Sequence, residues 1–303
     1  MILISLAVIL LSIASQSSGK HVTGSHASNL LVIDEYSSDF DLTSQNPIEK
    51  IAIKVTNKSP EPISKITFLV PDDRIVIGSS VEDSYGQPLE FVNTNTTVDV
   101  AIDEKKQLKF KVFNIILSNP LSPEYDIKIS KIILHYNSFY VFRPRSVTLF
   151  DDQKVRVQAY KVPASPYKIE KVEYKVKYGD ARTPTRDEQT VRNPVEPFSP
   201  VATTLHFVLN THFVHSRKTT RYIEISHWGN IFFKDEYYLH NRGAKLRGAF
   251  STIDYNKGRK DTGKNSYRAE NIKLPVNAWG FYYRDEIGNI STTTVTRTVS
   301  DWN

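Results

Sequence analysis

Period-two alternation of apolar and polar residues runs through most of this chain and constrains its fold more than any other feature. Ile51, Ile53 and Val55 alternate with polar neighbours, and so do Val98, Val100 and Ile102. The pattern recurs at Ile66, Phe68 and Val70, at Phe110 and Val112, at Val155, Val157 and Ala159, and at Val172, Tyr174, Val176 and Tyr178. Residues two apart on a strand share a face, so each segment reads as a half-buried strand. Turn signals fall between them at Ser59-Pro60-Glu61-Pro62, Pro71-Asp72-Asp73, Tyr85-Gly86-Gln87-Pro88 and Asn119-Pro120-Leu121-Ser122-Pro123. No long stretch has helical periodicity. Strands with one apolar face to bury predict antiparallel sheets packed as sandwiches, hence an all-β fold with tandem antiparallel β-sandwich-like domains, the second incomplete. Residues 183–200 hold four prolines and few apolar side chains. They place an N-terminal β domain at 20–190, a linker at 191–196 and a second β domain at 197–303.

With 40% hydrophobic and 24% charged residues the chain has enough apolar surface for a core, which excludes a disordered protein. The first 19 residues, apolar from Ile2 to Ala14 and then small, predict a signal peptide at 1–19, with Ser12/Ala14 or Ser17/Gly19 before the cut. The apolar run is shorter than the ~20 residues a membrane-spanning helix needs. Export makes the absence of cysteine informative: it excludes a disulfide scaffold and a thiol nucleophile, and leaves stability to burial. The net charge of +6 lies entirely in the last third, since residues 1–200 carry 24 basic and 24 acidic side chains and 201–303 carry 15 and 9. The basic residues between Arg242 and Lys273, among them Lys257, Arg259 and Lys260, read as a solvated loop. An exported chain seldom meets nucleic acid, so none is expected as a partner.

Candidate chemistry is sparse. His206, His212 and His215 are close in sequence, but on a strand His215 points away from the other two, which fits a zinc site poorly. Asp39-Phe40-Asp41 has the form some glycosyltransferases use to hold a metal, yet no alternation of strands and helices surrounds it. No nucleophile elbow, phosphate loop or dinucleotide fingerprint occurs, so no catalytic residue, cofactor or metal is expected. Three Asn-x-Ser/Thr triplets, at Asn57, Asn95 and Asn289, are candidate glycan acceptors.

One block of residues goes further. Glu224-Ile225-Ser226-His227-Trp228-Gly229-Asn230-Ile231 is followed by Gly243-Ala244-Lys245-Leu246-Arg247-Gly248, Phe250-Ser251, Asp254-Tyr255 and Tyr282 to Thr292, the last including Asp285 and Glu286. In order and type these resemble the lumenal part of the ribophorin I family, over about residues 220 to 292. Read physically, His227, Trp228, Gly229 and Asn230 are a strand entering a tight turn, with Trp228 expected to plug a core. The resemblance implies an accessory, non-catalytic type I membrane subunit of the oligosaccharyltransferase complex in the endoplasmic reticulum. Its β-rich lumenal domains would position nascent polypeptides or partner subunits near the catalytic subunit. That catalytic subunit is polytopic with a Trp-Trp-Asp motif, and this sequence has neither property. The resemblance also implies a C-terminal membrane helix beyond residue 303, so the sequence reads as truncated, and it favours Asn289 as an acceptor. A secreted or lumenal β-sandwich binding module that takes acidic ligands on its basic loop is the alternative reading.

Overall fold

The computed structural model describes residues 21–23, 30–103, 106–211, 213–257, 272–275, 277–286, 288, 290 and 295–296. In chain order the first strands are β1 (His21–Thr23), β2 (Leu31–Leu42), β3 (Ile48–Asn57), β4 (Ile63–Pro71), β5 (Val76–Asp83), β6 (Glu90–Asp103), β7 (Lys106–Leu121) and β8 (Asp126–Tyr136). Next come β9 (Val141–Phe142), β10 (Ser146–Val147), β11 (Lys154–Val162), β12 (Lys168–Ile169), β13 (Val172–Tyr178) and β14 (Thr185–Val191). The last are β15 (Val201–Val208), β16 (Val214–Ile225), β17 (Ile231–Asn241), β18 (Lys245–Leu246) and a short helix α1 (Thr252–Lys257). The chain is all-β, as the alternation predicts.

The largest sheet runs β14-β13-β2-β3-β8-β5, with β12 also on β2. Its pairs are antiparallel except those that β12 and β13 make with β2, which are parallel. A second sheet runs β1-β6-β7-β4 and a third β15-β11-β9. Alternation decides which side chains are buried. Ile51, Ile53 and Val55 on β3, Ile132 and Leu134 on β8, and Val172, Tyr174 and Val176 on β13 join one buried cluster. The same cluster takes Ile66 and Val70 from β4, Ile115 from β7, and Val155, Val157 and Ala159 from β11. Each such aliphatic side chain contributes about 1.5–3 kcal/mol by leaving water. On β2 the buried set shifts phase, from Leu31 and Ile33 to Tyr36, Phe40 and Leu42, because a bulge between Ile33 and Glu35 absorbs one residue. Leu69, Val98, Val100, Phe110 and Ala164 form a smaller cluster of their own.

A charged pair lies within the apolar packing. Arg74, 3% exposed, meets Glu49 at 3.3 Å and donates through a second guanidinium nitrogen to the Gln158 carbonyl at 3.2 Å. Its guanidinium sits 4.8 Å from the Phe40 ring centre and 5.1–5.5 Å from those of Tyr136, Phe139 and Tyr160. The Glu49 carboxylate also accepts from the Tyr136 and Ser38 hydroxyls, at 2.8 and 2.9 Å.

The expected linker does not separate two cores. Val195 exchanges both backbone hydrogen bonds with Ile169, at 2.7 and 3.0 Å, and Val191 and Val195 pack on the main cluster. Beyond it β15 pairs with β11 over most of its length, and Leu209 and Phe213 are buried in the same cluster. The prolines mark a connection that hugs the sheet, because apolar residues between them still find burial. By compactness one unit runs to Ser266 and a second begins at Tyr267.

Candidate partner-binding hairpin

The family-like block builds a two-stranded ribbon. β16 and β17 pair antiparallel from Val214↔Asn241 to Ile225↔Ile231 and form a sheet of their own. The turn follows from its residues: Ser226 N–H donates to the Asn230 carbonyl at 2.8 Å, Gly229 N–H donates back to the Ser226 carbonyl at 3.1 Å, and Gly229 takes φ 85°. This is the three-residue hairpin loop that needs a left-handed residue at its third position, which glycine supplies without strain.

The root of the ribbon is stapled to the sandwich. The Gln45 amide both donates to and accepts from the Val214 backbone, and Arg242 N–H donates to the Phe213 carbonyl at 2.7 Å. Phe213 is buried edge-on against Tyr140 and Phe142, and Gln153 Oε1 accepts from Ala244 N–H at 3.1 Å. A Cβ on Gly243 would lie 2.6 Å from that same Gln153 oxygen, so any side chain here would displace it. Farther on, β18 pairs in parallel with β10, and Gly248 takes φ 87°. Ser251 then caps α1: its hydroxyl accepts from Asp254 N–H at 3.1 Å, and Phe250 packs on Tyr255 with ring centres 5.8 Å apart. Those four residues form a serine N-cap and a hydrophobic staple, so this part of the motif is helix punctuation.

The tip is bare on both faces. Ile223, Ile225, Ile231 and Phe233 fall on one face by register and are all exposed, Ile225 at 73%. Tyr222, Phe232 and Tyr238 are exposed on the other. Trp228 is 92% exposed at the turn, which corrects the expectation that it plugs a core: a tight turn at the end of a free ribbon has no core within reach. His227 and Asn230 are exposed beside it. Charge on the ribbon is largely self-paired. Arg221 binds Asp235 in a two-point fork at 2.7 and 2.8 Å, holding that carboxyl below the usual aspartate range, and Lys234 meets Glu236 at 2.7 Å. Contiguous apolar exposure of this kind marks a surface made to be covered.

The remaining candidates divide. In the second unit Asp285 closes a turn, its N–H donating to the Gly288 carbonyl and its carboxylate accepting from Gly288 N–H, both at 2.9 Å, with Glu286 exposed within it. Asn289 lies outside the described residues, as do His212, Arg259 and Lys260. Asn95 is exposed on a bulge of β6, with φ 55°. Asn57 is 0% exposed: its amide nitrogen donates to the Glu61 and Leu121 carbonyls, and its oxygen accepts from Ser59 N–H. A glycan on Asn57 is incompatible with that packing, so its role is to fold the turn after β3. His206 is exposed on β15, and Asp41 is bonded to Thr43 N–H and hydroxyl. Among the described residues no group of three or more His, Cys, Asp or Glu could hold a metal, and no helix is long and apolar enough to cross a membrane.

Comparison with known proteins agrees with the motif. The Ribophorin I family model matches residues 31–301. Dolichyl-diphosphooligosaccharide–protein glycosyltransferase subunit 1A of Arabidopsis thaliana is 28% identical over 282 residues, 86% of this chain and 45% of the relative. Subunit 1B of Oryza sativa subsp. japonica is 32% identical over 194 residues, 60% of this chain and 41% of the relative. Subunit 1 of Caenorhabditis elegans is 43% identical over 91 residues, 30% of this chain and 16% of the relative. The chain thus spans about half, or less, of the length of these relatives. Among solved structures, an M1 zinc metallopeptidase from Deinococcus radiodurans is 12% identical with a TM-score of 0.35, covering 70% of this chain and 48% of that one, a distant likeness without bearing on chemistry. By the family match across nearly its whole length, the chain belongs to the ribophorin I family.

Proposed function

We propose that this chain is part of an accessory, non-catalytic subunit of an oligosaccharyltransferase complex that supports protein N-glycosylation in the lumen of the endoplasmic reticulum. The ribbon β16–β17 is its docking surface for partner subunits. One observation carries the reading: in a chain of the ribophorin I family, a block within the matched residues forms a hairpin whose apolar tip is uncovered on both faces. Such a tip gains its stability from a partner, and a non-catalytic subunit acts through what it holds in place. The reading includes the signal peptide at 1–19, single-pass type I anchoring by sequence after residue 303, nascent polypeptides as clients, and Asn95 and Asn289 as glycan acceptors.

The test is co-purification from cells producing the full-length protein. Wild type is expected to bring down the catalytic subunit, and its depletion to leave client proteins underglycosylated. An Ile225→Ser/Phe233→Ser variant is expected to lose the partner while keeping its circular dichroism, since both side chains already face water. Failure of the wild type to co-purify sinks the functional reading; normal co-purification of the variant sinks the role of the hairpin alone.

A further inference from the structure

A cleft of about 250 Å³ opens where the hairpin root meets the sandwich, lined by Gln45, Asn137, Ser138, Tyr140, Phe142, Phe213, His215 and Arg242. That volume holds about eight waters, ample for a side chain and its flanking backbone. Its chemistry is one-sided. Tyr140, Phe142 and Phe213 are locked edge to face as an apolar floor, and the Tyr140 hydroxyl is spent on the Leu42 and Ser44 carbonyls. The Gln45 amide is spent on Val214. The Asn137 side-chain oxygen accepts from Ser138 N–H at 2.9 Å, which leaves the amide nitrogen as its donor group. Among the described residues no carboxylate lines the cleft. Among the described residues the Arg242 guanidinium, the Ser138 hydroxyl and the His215 imidazole have no partner.

We propose that this cleft is a carboxylate-binding site that takes an acidic side chain of a polypeptide. One planar cation, with hydrogen-bonding groups from Ser138 and Asn137 and the His215 imidazole beside it, matches a single negative charge. The guanidinium fork can bind two oxygens of either a carboxylate or a phosphate, but one cation balances the single charge of a carboxylate and leaves half the charge of a phosphate dianion uncompensated. The site also joins two elements: His215 is the second residue of β16 and Arg242 directly follows β17, while Asn137 and Ser138 follow β8 of the sandwich. A carboxylate seated between them ties the ribbon root to the sandwich, so occupancy stiffens the hairpin. This holds whether or not the chain joins a larger complex.

The test is an NMR titration of the chain with Ac-Gly-Glu-Gly-NH2, Ac-Gly-Gln-Gly-NH2 and inorganic phosphate. The glutamate peptide is expected to shift resonances of Arg242, His215 and Ser138 and to bind about tenfold or more tightly than the glutamine peptide, the loss expected for a charge-assisted bond. Arg242→Gln should abolish that preference, and Ser138→Ala should weaken it severalfold. Both residues sit outside the buried cores, and far-UV circular dichroism checks that the variants fold. If Arg242→Gln does not fold, the Ser138→Ala result and the peptide comparison still decide the matter. Equal binding of the two peptides, or binding that neither variant changes, overturns the proposal. Phosphate binding more tightly than the glutamate peptide overturns the carboxylate assignment.

Discussion

Arg74 shows how much one side chain can bind together. It follows an apparent turn, Pro71-Asp72-Asp73, yet its guanidinium is enclosed by four aromatic rings, the Glu49 carboxylate and a carbonyl from β11. A charge this buried is tolerable only while its partner is present. Arg74→Ala should therefore cost about 3–5 kcal/mol in urea unfolding, because Glu49 is left unpaired. The paired change Arg74→Met/Glu49→Gln should recover much of the loss, and a double variant no more stable than the single one would refute the account. Gly243 is the opposite case, a residue whose value lies in what it lacks. Adding one methyl puts carbon 2.6 Å from Gln153 Oε1, so Gly243→Ala must push away the side chain that holds Ala244 N–H. A loss of about 1–3 kcal/mol, the usual range for overpacking, is the expected outcome by thermal unfolding. Trp228→Ser, at an exposed site, should stay within about 0.5 kcal/mol of wild type in the same measurement.

Strands β3, β4, β11 and β13 could be read from sequence because each has one face in a core, and burial writes itself as alternation. β16 and β17 carry the same residue types without that cause. Arg221 to Ile225 and Ile231 to Phe233 look like core strands, but their apolar side chains lie in solvent on both faces. Composition can say that a surface wants covering, and it cannot say whether the cover lies in the same chain. That is why the motif identified the family correctly while Trp228 was misplaced. Helix α1 was not legible, because six residues of helix are too short to show a period. A ribbon of two strands is marginal on its own. Its amides should exchange with solvent through local opening, far faster than those of β3, which is paired on both edges. Protection of residues 218–236 equal to that of β3, in the absence of any partner, would show that the ribbon is stable by itself.

At the scale of the whole molecule the sandwich was predictable and its continuity across 191–196 was not. Prolines mark where a chain bends, whereas membership of a core depends on which strand lies beside which, and β15 beside β11 is a long-range pairing that no local signal encodes. What that shared core does to tyrosine gives a test of the entire packing. Burial raises the pKa of Tyr36, Tyr136, Tyr140, Tyr167 and Tyr174, and pushes Tyr160 up to about 12, where Asp73 adds to the effect. In the unfolded chain these phenols titrate near 10. Below pH 10 both states hold the protons and the fold keeps its full stability. Between pH 10 and 12 the unfolded chain releases protons that the folded chain retains, so stability falls as pH rises through that window. The five most buried tyrosines, Tyr140 among them, line one cluster with neighbours from several sheets, so they should ionise as a group when the sandwich opens. Circular dichroism and tyrosinate absorbance, followed together from pH 8 upward, are expected to show a cooperative step in which loss of strand signal and gain of tyrosinate coincide. If tyrosinate instead rose fully while the strand signal stayed intact, the phenols would have to be reachable by solvent in the folded state, and the single shared core would be wrong.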